Sequence, residues 1–124
     1  MNPTLSTGIL IIDKPAGLTS HDVVERVRRA TRLRRVGHAG TLDPMATGVL
    51  VVCVGQATRV SEYLLGHAKA YRAKIRLGVE TATYDADGVV TARQAVDVDR
   101  AAVEQALRQF IGNIQQVPPM YSAL

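Results

Sequence analysis

The 124-residue chain has one cysteine, three histidines and no apolar run near the ~20 residues that a membrane-spanning helix needs. The single Cys53 excludes an internal disulfide framework and suits a reducing cytosol. One cysteine and three scattered histidines supply no zinc-type cluster. The apolar stretch Ile9-Leu10-Ile11-Ile12 is too short for a signal-peptide core, and Asp13-Lys14-Pro15 cuts it off. Internal repeats, low-complexity tracts and linker-like stretches are lacking too.

What remains is a globular balance of 47% hydrophobic and 21% charged residues, in a length that suits one domain with a core. The net charge of +4 is unevenly spread. Residues 1–76 carry 12 Lys and Arg against 5 Asp and Glu, whereas residues 77–124 carry 3 against 6. Twelve of the fifteen cations are arginine, whose planar fork suits phosphate. A basic first half points to a polyanionic partner such as nucleic acid, although many basic domains are merely soluble.

Gly8–Ile12 reads as a buried strand, ended by the turn signal Lys14-Pro15-Ala16-Gly17. Thr19 or Ser20 can cap a helix starting near His21, with Asp22 favoured at the N-terminal amides if Thr19 is the cap. Six arginines between Arg26 and Arg35 share no single helical face, so that segment is solvated on several sides. Residues 36–48 read as a loop, and Val49–Val54 as a strand covered on both faces. Thr58–Leu65 suits a short helix. Tyr71–Val79 alternates as a half-buried strand, with Arg72, Lys74 and Arg76 facing outward. A polar loop over 81–88, a strand over 89–96 and a helix over 99–111 complete the chain. This order points to α/β or α+β architecture, with antiparallel pairing around Asp87-Gly88.

The loop from Gly37 to Gly48 is the most unusual segment. Its glycines permit close backbone approach, and Pro44 restricts Asp43 to an extended conformation. Asp43 is either a reactive acid on a rigid turn or the initiator of an Asp-Pro turn; local chemistry leaves both open. His38 alone reads more readily as a hydrogen-bonded structural histidine than as a catalyst. The segment Thr83–Gly88 echoes a calcium loop, but Gln94 stands where such a loop needs glutamate, and a hairpin turn at Asp87-Gly88 explains it better.

Five separated blocks resemble the bacterial TruB-type tRNA pseudouridine synthases, which isomerise the T-loop uridine at tRNA position 55. They are Gly8–Gly17 with Ser20-His21-Asp22; Val36–Leu50; Gly55–Arg59; Lys69–Arg72; and Val117–Ala123. The resemblance implies an α+β fold with a mixed, largely antiparallel central sheet flanked by helices, truncated. It implies that Asp43 is the catalytic nucleophile, attacking ribose C1′ or uracil C6 after base flipping, with no cofactor and no metal. His38 then occupies space beside the flipped nucleotide, and Tyr71 stacks on the target base and helps handle the proton at C5. Lys14 joins them on the substrate side, as an electrostatic support of the loop or as a structural residue. Arg59, Arg72, Lys74 and Arg76 are candidates for RNA-backbone contacts. The Pro118-Pro119-Met120-Tyr121 run belongs to the family's block near the cleft rather than to a polyproline ligand.

The same resemblance implies that residues 1–124 are the N-terminal part of the catalytic domain, with the remainder and any PUA domain absent. A fragment of this kind lacks the family's arginine partner for the aspartate, and the chain alone is expected to be inactive. Its implied setting is cytoplasmic and monomeric, with the tRNA T-arm as partner, no obligatory protein partner and no membrane. The alternative is a non-catalytic RNA-binding module that retains only the basic surface. An Asp-dependent hydrolase is disfavoured because no second carboxylate or His–Asp arrangement accompanies the loop.

Overall fold

The computed structural model describes residues 6–115. The chain divides into two compact units, Met1–Tyr71 and Arg72–Leu124.

The first unit is built on strand β1 (Gly8–Lys14), helix α1 (Ser20–Thr31), strand β2 (Val36–His38) and strand β3 (Gly48–Val54). A 3-10 helix (Gly55–Val60) and helix α2 (Ser61–Leu65) follow. The sheet order is β1-β3-β2, antiparallel throughout, with Gly8 opposite Val54, Lys14 opposite Gly48 and His38 opposite Val52. The α+β architecture with antiparallel sheets and helices is the one the sequence implied.

Helix α1 starts where local chemistry places it. The Thr19 hydroxyl accepts from the Asp22 amide at 3.0 Å, and the Asp22 carboxylate accepts from the Thr19 amide at 2.8 Å, a reciprocal capping box. The bond from the Thr19 hydroxyl, joined by that from its amide, holds the Asp22 carboxyl below the usual carboxylate range. Arg32 ends the helix in the left-handed conformation.

One face of the sheet packs on α1. Val23 and Val24 of the helix join Val36, Leu50, Val52 and Val54 in the core, with Leu10, Ile12, Leu18, Val27, Leu33 and Leu42 around them. Each such aliphatic side chain contributes about 1.5–3 kcal/mol when fully buried.

Two expectations for this unit need correction. Val36–His38 is not loop but a short strand, because β3 offers it an open edge; the Ala39 amide continues the pairing to the Val51 carbonyl at 2.9 Å. Nor is β3 covered on both faces. Cys53 is buried on the far face and its thiol pKa is raised by that burial, but Val49 is 69% exposed, with Ile11 and Ile9 open beside it. The 3-10 helix packs on the sheet directly after Val54, and the β3 start stays uncovered.

Lys14, at the end of β1, is fully buried. Its ammonium donates to three backbone carbonyls: Leu18 at 2.6 Å, Pro15 at 3.0 Å and Pro44 at 3.2 Å. An ammonium has three donors, so all are satisfied without a carboxylate partner.

The second unit holds strands β4 (Val79–Thr81) and β5 (Val90–Arg93), helix α3 (Arg100–Leu107) and a 3-10 turn (Arg108–Phe110). The strands pair antiparallel, as expected around Asp87-Gly88. Asp85 organises the connecting loop: its carboxylate accepts from the Thr83 hydroxyl and, at 3.0 Å each, from the Asp87 and Gly88 amides. The Thr83 bond, with those two amides, holds its carboxyl below the ordinary value. Gly78 has φ +74°, and a Cβ there would lie 2.5 Å from the Gln94 carbonyl, so the entry to β4 requires glycine.

The strand expected over Tyr71–Val79 is not formed. Only Val79–Thr81 pairs, and the face meant to be buried is open, with Tyr71 70% and Ile75 71% exposed. Alternation gives a segment two faces, but a strand also needs a neighbour for its amides and carbonyls; Gly78 finds one in Gln94, whose amide donates to its carbonyl at 2.9 Å, whereas no ladder runs along 71–77 among the described residues. Helix α3 is shorter than the expected 99–111, and along it only Val103 is partly covered.

Two measurements check these local arguments. Thr19→Ala is expected to lower unfolding stability by about 1 kcal/mol in urea titrations. The difference from the parent should shrink as pH falls through the lowered pKa of Asp22, because the paired carboxylate stabilises only while ionised. Lys14→Met is expected to cost about 3 kcal/mol by the same titration, since buried carbonyls lose their donor.

Candidate active site: a loop anchored on both sides of Asp43

The segment Ala39–Thr47 leaves β2 and returns into β3, carrying Asp43 at the end of the sheet where β1 finishes and α1 begins. Leu42 turns its side chain into the core, drawing its backbone inward. Its polar groups must then find partners, and Ser20 supplies both. The Ser20 hydroxyl, 3% exposed, accepts from the Leu42 amide at 2.9 Å and donates to the Leu42 carbonyl at 3.2 Å.

On the other side, the Pro44 carbonyl accepts from the Lys14 ammonium and from the Gly17 amide at 2.8 Å. Gly17 sits at φ +82°, a conformation L side chains rarely adopt, and this aims its amide at Pro44. The Asp43 carbonyl closes a turn by accepting from the Ala46 amide at 3.0 Å. Asp43 itself is exposed, and none of the ion pairs among the described residues includes it. The result is a carboxylate open to solvent on a backbone fixed before and after it.

The other expected residues fall in different places. His38 lies opposite Val52, on the α1 side of the sheet, half-buried and with no hydrogen-bond partner for its buried Nδ1 among the described residues. Tyr71 lines a cleft of about 370 Å³ on the opposite side, with Val49, Val51, Leu64 and the loop residues Thr41 and Leu42. Lys69 lines the same cleft, its ammonium bound to the Leu65 carbonyl at 2.6 Å. Lys14 joins Asp43 through Pro44, and its fully buried ammonium presents no face to a ligand. Arg59 is exposed on the 3-10 helix of the first unit. Arg72, Lys74 and Arg76 are exposed in the second. The Val117–Ala123 block lies outside the described residues.

Sequence reasoning missed the second role of Ser20, which it weighed as a helix cap and placed in a family block without giving it a further task. The one available signal was redundancy: with Thr19 as cap, the adjacent hydroxyl has no local task.

Comparison with known proteins bears on this arrangement. A profile described as TruB family pseudouridylate synthase (N terminal domain) matches residues 28–124. Proteins named tRNA pseudouridine synthase B share 58% identity over 97% of this chain in Thermobifida fusca (strain YX) and 50% over 94% in Geobacillus thermodenitrificans (strain NG80-2). The chain spans 41% and 39% of those two relatives. Among solved structures, a Cbf5-Nop10-Gar1 complex matches with TM-score 0.66 and 29% identity, covering 98% of this chain and 32% of the matched one. An H/ACA RNP bound to a substrate RNA containing 2'-deoxyuridine matches with TM-score 0.61 and 27% identity over 93% of this chain and 31% of the other. With its Asp43 loop within the matched region and close relatives along nearly its whole length, the chain belongs to the TruB family of pseudouridylate synthases.

Proposed function

We propose that this chain is the nucleophile-bearing part of a tRNA pseudouridine synthase that converts the T-loop uridine at position 55 to pseudouridine. The observation that carries the reading is Asp43: an exposed carboxylate whose two neighbours are tied down by Ser20, Lys14 and Gly17. A nucleophile held in this way meets its target without first losing loop entropy.

In this reading the uridine is flipped from its stack to reach the carboxylate. Asp43 attacks ribose C1′ or uracil C6, and both routes need the same ionised, accessible oxygen. The N-glycosidic bond breaks, the uracil turns, and its C5 bonds to C1′. On the C1′ route C5 displaces the carboxylate as the new bond forms, and on the C6 route the carboxylate leaves C6 afterwards. The proton lost from C5 is matched by one taken up at N1, so the reaction is an isomerisation with no net redox change.

Tyr71, exposed along the cleft, offers a ring for stacking and a phenol for the C5 proton. His38, on the other side of the sheet from Tyr71, is left to the part of the T-loop beside the extruded nucleotide rather than to the stacked base. Lys14 acts on the loop backbone rather than on RNA, as its burial requires. Arg59, Arg72, Lys74 and Arg76 are exposed cations suited to phosphate. The partner is the T-arm of tRNA, bound without a guide RNA or obligatory protein partner, in the cytoplasm. Residues 1–124 serve as the N-terminal part of the catalytic domain. With no cation paired to Asp43 among the described residues, the chain alone is expected to turn over slowly or not at all.

Tritium release from a T-arm stem-loop labelled at uridine C5 tests the reading in the full-length synthase carrying this region. Asp43→Asn should reduce release on the order of 10⁴-fold or more while T-arm binding persists. Release at the parent rate would exclude Asp43 as nucleophile. Tyr71→Phe should keep binding and slow release by roughly 10²-fold or more, the scale of a lost proton-transfer group.

A further inference from the structure

We propose that Ser20 is a positioning residue for catalysis, setting the peptide plane from which the Asp43 side chain departs. The proposal rests on Asp43 being the nucleophile.

The Leu42 carbonyl, which the Ser20 hydroxyl donates to at 3.2 Å, belongs to the peptide unit whose nitrogen is that of Asp43. The same hydroxyl accepts from the Leu42 amide at 2.9 Å, which belongs to the preceding peptide unit. One oxygen therefore grips both peptide planes that flank the Leu42 Cα, fixing their mutual rotation. Rotation of the second plane would swing Asp43 directly, because its Cα is the next atom along the chain.

The downstream anchor does not duplicate this. Lys14 and Gly17 hold the carbonyl of Pro44, beyond the Asp43–Pro44 bond. That leaves the bonds on the N-terminal side of Asp43 to Ser20 alone among the described hydrogen bonds from side chains.

Ser20 is also free for the task. It is the first residue of α1, yet the helix cap is made by Thr19 with Asp22, so the Ser20 hydroxyl is not needed for the helix. At 3% exposure it has little water to exchange partners with, and its reach crosses 22 residues of sequence to the loop. A buried hydroxyl spending its donor and an acceptor on one loop residue is a geometric device, whereas a packing role alone would be served by alanine or cysteine.

The test uses the full-length synthase carrying this region, with single-turnover tritium release at saturating T-arm, T-arm affinity and thermal melting measured together. Ser20→Ala should slow release by between about tenfold and a hundredfold, the scale of a misplaced reacting group, while affinity shifts by less than about threefold. Ser20→Cys, similar in shape and a weaker hydrogen-bonding group, should fall between parent and alanine. It also serves as the measured variant if Ser20→Ala fails to fold. Release at the parent rate from a folded Ser20 variant would overturn the proposal. So would a slowing that only tracks the folded fraction. Asp43→Asn runs alongside: its retaining activity would sink the nucleophile assignment, whereas an inactive Asp43→Asn beside a full-speed Ser20→Ala would sink the role of Ser20 alone.

Discussion

A single buried ammonium holds the end of the sheet together. Lys14 is enclosed completely, and a charge without water costs several kcal/mol unless hydrogen bonds replace its hydration. Three carbonyls do so, two from the turn that follows β1 and one from Pro44 in the loop. The ammonium thus draws into one place the exit of β1, the approach to α1 and the segment bearing Asp43. Acceptors that are uncharged leave Asp43 as an open carboxylate near a cation that is already satisfied.

This arrangement separates stiffness from reactivity. The groups that hold the loop are the buried Lys14 and Ser20 side chains and hydrogen-bonded backbone, while the acid is exposed and its side chain is in no hydrogen bond among the described residues. A carboxylate drawn into its own hydrogen bonds would be a poorer nucleophile, and one on a loose loop would need ordering at each turnover. On the proposed function that separation has a purpose, since an extruded base must meet a fixed group.

The sequence made some of this legible because the relevant interactions are local. The Thr19–Asp22 box is three residues long and could be read from residue types, as could the extended restriction that Pro44 places on Asp43. The apolar run ending at Val54 announced a strand. Other features depend on partners far along the chain. Val36–His38 became a strand only because β3 presents an edge, and Tyr71–Val79 failed to become one although its alternation was clean. The identity of Asp43 as a site candidate came from its loop and its family blocks. The hydrogen bond from Ser20 to Leu42 left only the trace of a redundant hydroxyl beside the Thr19 cap, because nothing in residue spacing says which loop a helix end will touch. Likewise, the uncovered start of β3 could not be read from a β-branched run, which looks the same whether one face is packed or two.

The anchors on the loop have one further property: all come from residues 14–20, and all reach 22 to 30 residues along the chain. The ladder between Gly8–Lys14 and Gly48–Val54 joins the same stretches of chain. Strand pairing and loop anchoring therefore share one loop-closure cost, and the Asp43 turn belongs to the same cooperative unit as the sheet end. A fluctuation that parts Lys14 from Gly48 frees the Pro44 side of Asp43 and leaves its Leu42 side to Ser20. The lifetime of the Asp43 geometry then depends on the breathing of the sheet end as well as on the loop's own anchors.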